Sequence, residues 1–194
     1  MRHTWQASKM TNEHQSQPND RLRRAFALLG TALFLVLALG FVAGLVPWWI
    51  SRWQLRAPFA GYAPLRAIGG ALIAAGAYVV LDSFARFALQ GLGTPAPVFP
   101  TKHLVVQGFY RHVRNPMYVA VVAVILGQAL LFGDMRVLGW ALFSWFVAHL
   151  FVLTYEEPTL RKTFGAEYES FRANVPRWIP RLTPWRDDTV SRHA

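Results

Sequence analysis

Two polar blocks in this chain carry the residue types that could do chemistry. The first is GFYRHVRNPMY, Gly108 to Tyr118, and the second is EEPTLRKTFGAEYESFRANVPRWIPR, Glu156 to Arg181. The first offers Arg111, His112, Arg114 and Asn115, and the second offers Glu156, Glu157, Arg177 and Arg181. Tyr110, Tyr118, Tyr155 and Trp178 are interleaved with them. Acids, bases and aromatic rings together suit a polar, zwitterionic cofactor. They would equally serve as ion pairs at a membrane surface, and residue types alone weigh the two readings evenly. No metal is expected, because no cluster has the ligand spacing of a zinc site and the chain has no cysteine. Neither a Ser-His-Asp arrangement nor a phosphate loop is present. Gly91-Leu92-Gly93 is too short for a dinucleotide fingerprint and follows no strand.

The elements that must position these blocks are apolar. The sequence is 54% hydrophobic and 15% charged, against about 25% charged in soluble domains. Four segments approach the ~20 residues needed to cross a bilayer. They are 25–46, 67–89, 117–132 and 137–155, and none alternates as a barrel strand does. The expectation is an all-α integral membrane protein with about four transmembrane helices and a C-terminal amphipathic helix. The first apolar run is too long for a cleaved signal core and reads as a retained span. A polar arm (1–24) precedes a membrane domain (25–155) containing a loop at 91–116. A segment at 156–194 completes the site.

The net charge is +10, and its placement orients the chain. With four spans and both termini in the cytoplasm, Arg2, Lys9, Arg21, Arg23, Arg24, Lys102, Arg111, Arg114 and seven basic residues from Arg161 onward lie inside. Only Arg52, Arg56, Arg66 and Arg136 lie outside, which satisfies the positive-inside rule. Basic residues that sort by membrane side argue against nucleic acid as a partner.

Several local features carry expectations. Residues 1–20 lack periodicity and read as a disordered or loosely interfacial arm. Pro47-Trp48-Trp49 closes the first span, with Trp53 extending an aromatic belt. In the second span Gly70 with Ala74, and Ala71 with Ala75, would admit a close helix neighbour. Asp82 and Arg86, four apart, can pair or meet a ligand. Gly133-Asp134-Met135-Arg136 makes a tight turn, so the third and fourth spans are antiparallel neighbours. His149 reads as an interhelical hydrogen-bonding group. Pro158 suits the first turn of a new helix near Glu156 and Glu157. Leu160, Phe164, Tyr168 and Phe171 give that helix an apolar face, and Val175 to Pro184 reads as extended.

The two blocks together resemble the G-x-Y-R-x-x-R-[HN]-P-x-Y block and the E-E-x-x-L-x-x-x-F-G tail, with its V-P-R-x-I-P-R ending, of the isoprenylcysteine carboxyl methyltransferase and phospholipid methyltransferase superfamily. The likeness runs from about Thr94 to Arg181. It implies an integral membrane enzyme that uses S-adenosylmethionine on a lipophilic acceptor, with its active site at the cytoplasmic face. Carried over, Gly108, Tyr110, Arg111, Arg114, Asn115, Pro116 and Tyr118 shape one wall of the cofactor pocket. Glu156 and Glu157 supply hydrogen bonds to ribose hydroxyls or the methionine amine. Arg114, Asn115 and Glu157 stand nearest the chemistry, and Arg177 and Arg181 are candidates for a carboxylate or the acceptor. Asn115 replaces a frequent His and cannot act as a general base, while Ala120 replaces a frequent Gly. Both departures bear on the acceptor. Membrane lipids are the expected surroundings, and the sequence is silent on oligomeric state. The competing classes are a nicotinamide-dependent membrane reductase and a non-catalytic scaffold.

Overall fold

A computed structural model describes residues 33, 36–90, 104 and 106–186, with the side chains of 84–90 excepted. The arm at 1–24, the start of the first span, most of the loop at 91–103, the Arg86 side chain and residues 187–194 lie outside the described residues. Among the described residues there is no strand; the fold is all-helical. Five helices form it: α1 (Val36–Ser51), α2 (Pro64–Gln90), α3 (Pro116–Phe132), α4 (Met135–Phe164) and α5 (Ala166–Asn174).

The central helix is α3, which packs against α2, α4 and α1. Its buried side, Val121, Ile125 and Ala129, meets Val137 and Ala141 of α4 and Val42 and Ala43 of α1. Most other apolar side chains face outward. Leu142, Phe143, Phe146 and Leu150 of α4 are all exposed, as are Tyr78 and Leu81 of α2. So much continuous apolar surface is the mark of a lipid-facing protein. Among the described residues, two helices are long and apolar enough to cross a membrane: Pro64–Ser83 within α2, and α4. Helix α4 has 30 residues, or ~45 Å of length, against a hydrocarbon core of ~30 Å. A span starting at Met135 would leave the C-terminal third, which carries Glu156 and Glu157, beyond that core.

Two prolines behave differently from the sequence expectation. The first span does not stop at Pro47, and the α-helix at Glu157–Phe164, which has Pro158 in its first turn as expected, runs on from the preceding helix instead of starting afresh. In both places a π turn precedes the proline, Phe41–Leu45 before Pro47 and Val152–Glu156 before Pro158. A proline needs the carbonyl four residues back to be released, and the wide turn releases it by shifting the hydrogen bonds to five residues back. The backbone N–H of Val46 reaches Phe41 O, and that of Glu157 reaches Val152 O. The carbonyls freed in α1 are taken up by neighbouring helices. Gln128 Nε2 donates to Ala43 O (2.6 Å), and Trp140 Nε1 donates to Val42 O (2.9 Å).

The close approach of α2 to α3 also falls on a different face from the one expected. Gly69 and Gly76 make it, whereas Gly70 has open space around it. A Cβ at Gly69 would lie 2.6 Å from Gly127 O, and one at Gly127 would lie 2.6 Å from Gly69 O. A Cβ at Gly76 would lie 2.7 Å from Ala120 O. The seven-residue spacing of Gly69, Gly76 and Ser83 keeps all three buried along one stripe. Gly127→Val should therefore destabilise by about 1–3 kcal/mol through overpacking. That should be visible as a lower thermal midpoint in detergent, while Gly70→Val leaves the midpoint near that of the parent. Equal effects at the two positions would discard this packing register.

The turn between α3 and α4 is as tight as expected. Gly133 takes the left-handed conformation (φ 68°), and the Asp134 side chain caps α4 by accepting from Arg136 N at 2.9 Å.

Candidate active site at the junction of the two blocks

The hairpin of α3 and α4 does bring the two blocks together. The chain enters α3 through a short 3-10 turn at Gly108–Arg111, then through His112 to Asn115, with Pro116 at the first helical position. The segment after α5 runs back alongside it without forming a helix, as the prolines require. Arg114 N donates to Pro176 O, Arg181 N to His112 O and Trp185 N to Arg111 O, each at 2.9 Å. Side chains reinforce this strap. Arg111 Nε donates to Trp185 O (2.7 Å), and His112 Nδ1 lies 2.8 Å from Arg181 O. A carbonyl only accepts, so the His112 proton is on Nδ1. Asn115 Nδ2 donates to Arg177 O at 3.2 Å.

At the centre is Glu157, 4% exposed. Arg114 Nη1 donates to its Oε1 at 2.9 Å; Arg177 Nε donates to Oε1 at 2.6 Å and Arg177 Nη2 to Oε2 at 3.0 Å. Arg114 Nη1 also donates to the Tyr168 hydroxyl (3.1 Å). Two guanidiniums on one buried carboxylate leave a positive excess there. Arg114 Nε is buried and has no hydrogen-bond partner among the described residues. The Glu157 carboxylate holds the Arg177 guanidinium above its ordinary pKa by hydrogen bonding.

Glu156 is placed differently. Its Oε2 accepts from the Tyr118 hydroxyl at 3.2 Å. This bond takes one of about four lone-pair sites on the carboxylate. Burial, and then the Glu156 charge, push the Tyr110 phenol above its ordinary range. Burial and then the Glu157 charge raise Tyr168. Both phenols stay protonated at neutral pH, so they serve as donors and not as bases.

Aromatic rings close one side. Trp178 meets Tyr118 edge-on (centroids 6.5 Å apart), and its Nε1 donates to His149 Nδ1 at 2.9 Å. His149 thus bonds the strap, not another helix as the sequence suggested. Tyr155 stands apart, exposed and against Phe151. The Arg181 guanidinium turns to Asn174 O and the Thr183 hydroxyl, away from the glutamates. The single amphipathic helix expected after Glu157 is split at Gly165 (φ 50°). Its apolar face still forms a small core: Tyr168, Phe171 and Val175 pack with Leu104, Val106 and Trp185. That core fixes the strap and with it Arg177. Tyr168 was read only as part of this apolar face. Its hydroxyl on Arg114 has no local signal, because the partner lies 54 residues away.

Beside the junction is a cavity of about 280 Å³ lined by Tyr78 and Asp82 of α2, by Gly108, Phe109, Arg111 and His112 of the first block, and by Pro184 of the strap.

An all-helical protein with membrane-length apolar helices and a composite polar site at one end is thereby defined. Residues 65–167, more than half of the chain, match the phospholipid methyltransferase family. The chain belongs to that family, whose members are membrane methyltransferases. No curated protein is similar enough to count as a match.

Proposed function

We propose that this protein transfers a methyl group from S-adenosylmethionine to a lipophilic acceptor in the membrane, with its donor pocket at the junction of the two blocks. The observation that carries the reading is that junction, in a chain of the phospholipid methyltransferase family. It gathers Tyr110, Arg114, Asn115, Pro116, Tyr118, Glu156 and Glu157 around one strap. The donor set fits the cofactor. Glu156 retains acceptor capacity for hydroxyls or an ammonium, and the buried Arg114 Nε is a spare donor for a carboxylate. Glu157 is bonded to both arginines, so its role is to hold Arg114 and Arg177 in place, and Glu156 is the acid that meets the donor. The cofactor, when bound, supplies a sulfonium methyl group whose leaving group needs no proton. The chain's task is then orientation, which can contribute up to ~7–11 kcal/mol in the best cases. With protonated phenols and an asparagine at position 115, the first block offers positioning donors. A carboxylate acceptor, ionised at neutral pH, would need no more.

The cavity beside Tyr78 and Asp82 suits the acceptor's polar end. Tyr78 at its edge is 64% exposed on the lipid-facing side of α2, which supports lateral entry. Four spans with both termini in the cytoplasm place the junction where the donor is available, and the distribution of basic residues supports that orientation. Calorimetry of the purified protein should show S-adenosylmethionine binding. Labelled methyl donor with a membrane lipid extract should move label into the lipid fraction. Binding of NADPH alone would transfer the protein to the reductase class, and binding of neither would leave a scaffold.

A further inference from the structure

We propose that the opposite end of the helical bundle binds the phosphate of an anionic phospholipid. Two arginines share one acid there, and a third is bonded to the backbone of the first. Arg136 Nη2 lies 2.8 Å from Asp134 Oδ2, and Arg56 Nε lies 3.3 Å from the same oxygen. Arg66 Nη2 donates to the Arg56 carbonyl. Three guanidiniums against one carboxylate leave two positive charges uncompensated within the cluster. Asp134 is 1% exposed and already shared, whereas the side chains of Arg56 and Arg136 are 48% and 56% exposed. Arg66 adds a second, independent sign: its Nε is buried with no hydrogen-bond partner among the described residues.

The cluster also sits at a defined depth. Helix α3 ends at Phe132, α4 begins at Met135 and α2 begins at Pro64. Trp53 stacks on Phe132 beside it, and Trp49 is exposed nearby in the chain. Tryptophans at helix ends mark the boundary between hydrocarbon and headgroups. Lipid phosphates are concentrated at that depth, so a lipid is favoured over a free anion. Arginine matches phosphate through paired N–H donors. The excess of positive charge repels the ammonium of a zwitterionic headgroup and so selects an anionic lipid. Arg52 is occupied otherwise, 4.6 Å over the Trp48 ring.

The inference rests on the membrane reading and not on methyl transfer. The test reconstitutes the full chain in phosphatidylcholine nanodiscs, with and without phosphatidylglycerol. Phosphatidylglycerol should raise the thermal midpoint by roughly 2–4 °C, and native mass spectrometry should retain the lipid. The variants Arg136→Gln and Arg66→Gln/Arg136→Gln should lose the gain and still bind S-adenosylmethionine as the parent does. Arg161→Gln/Arg172→Gln, which removes exposed charge at the other end, should keep it. The single variant covers a failure of the double one to fold, since Arg136 is largely in solvent. An equal gain in Arg136→Gln, or an equal loss in the Arg161/Arg172 control, overturns the site. If inorganic phosphate in detergent reproduces the whole shift, the ligand is a free anion and the lipid assignment fails.

Discussion

Glu157→Ala is expected to destabilise the protein by about 3–5 kcal/mol, because it strands a buried cation. The Arg114 side chain is 9% exposed, and Glu157 is its ion-pair partner among the described residues. Arg177 loses two hydrogen bonds in the same step and with them its hold on the strap. Donor affinity should fall at least tenfold, since Asn115 is bonded to the Arg177 carbonyl and moves with it. Thermal unfolding in detergent and calorimetry with S-adenosylmethionine measure the two effects separately. Glu157→Ala/Arg114→Met removes the stranded charge as well and should regain part of the stability, as replacing a whole buried pair by apolar groups commonly does. It should not regain donor binding. Should the double variant bind the donor normally, the triad is only structural.

Glu156→Gln is expected to do the reverse: keep the fold and lose the donor. Glutamine retains an oxygen that can accept from the Tyr118 hydroxyl, so the midpoint of unfolding should hardly move. A hydrogen bond to a charged acceptor contributes about 1.5–3 kcal/mol, against about 0.5–1.5 for a neutral one. A difference near 1.4 kcal/mol corresponds to about tenfold in affinity, so at least that loss is expected by calorimetry. Turnover with a lipid acceptor should fall alongside. Unchanged affinity would take Glu156 out of the donor pocket and return its pairing with Tyr118 to a structural role.

Hydropathy made the helices legible, and chemistry made the two blocks legible. Apolar length located α3 within a residue of its structural bounds, and Gly133-Asp134 fixed its antiparallel partner. What stayed hidden depends on partners distant in sequence. Proline rules stop helices at Pro47 and Pro158, but a local rule has no knowledge of Gln128, which takes up the Ala43 carbonyl 85 positions away. Small residues four apart suggested Gly70 and Ala74. The stripe in use is one residue over, because Gly127 on α3 chooses the face. The residue types of the Glu157 site were readable. Its division of labour was not: Glu157 is taken up by two arginines and Glu156 by one phenol, and only three-dimensional pairing distinguishes adjacent glutamates.

The strap also sets an order of assembly during biosynthesis. Arg114 is made before the α3–α4 hairpin, yet its partners Glu157, Tyr168 and Pro176 lie 43 or more residues downstream. The ribosome must deliver both helices before that cation finds its counter-charge, and then the strap before Arg177 completes the triad. A nascent chain halted between α4 and Val175 holds the hairpin and an unfinished site. Donor binding is therefore a readout of complete synthesis and insertion, and a truncation just before Val175 should behave as an apolar hairpin with no affinity for the cofactor.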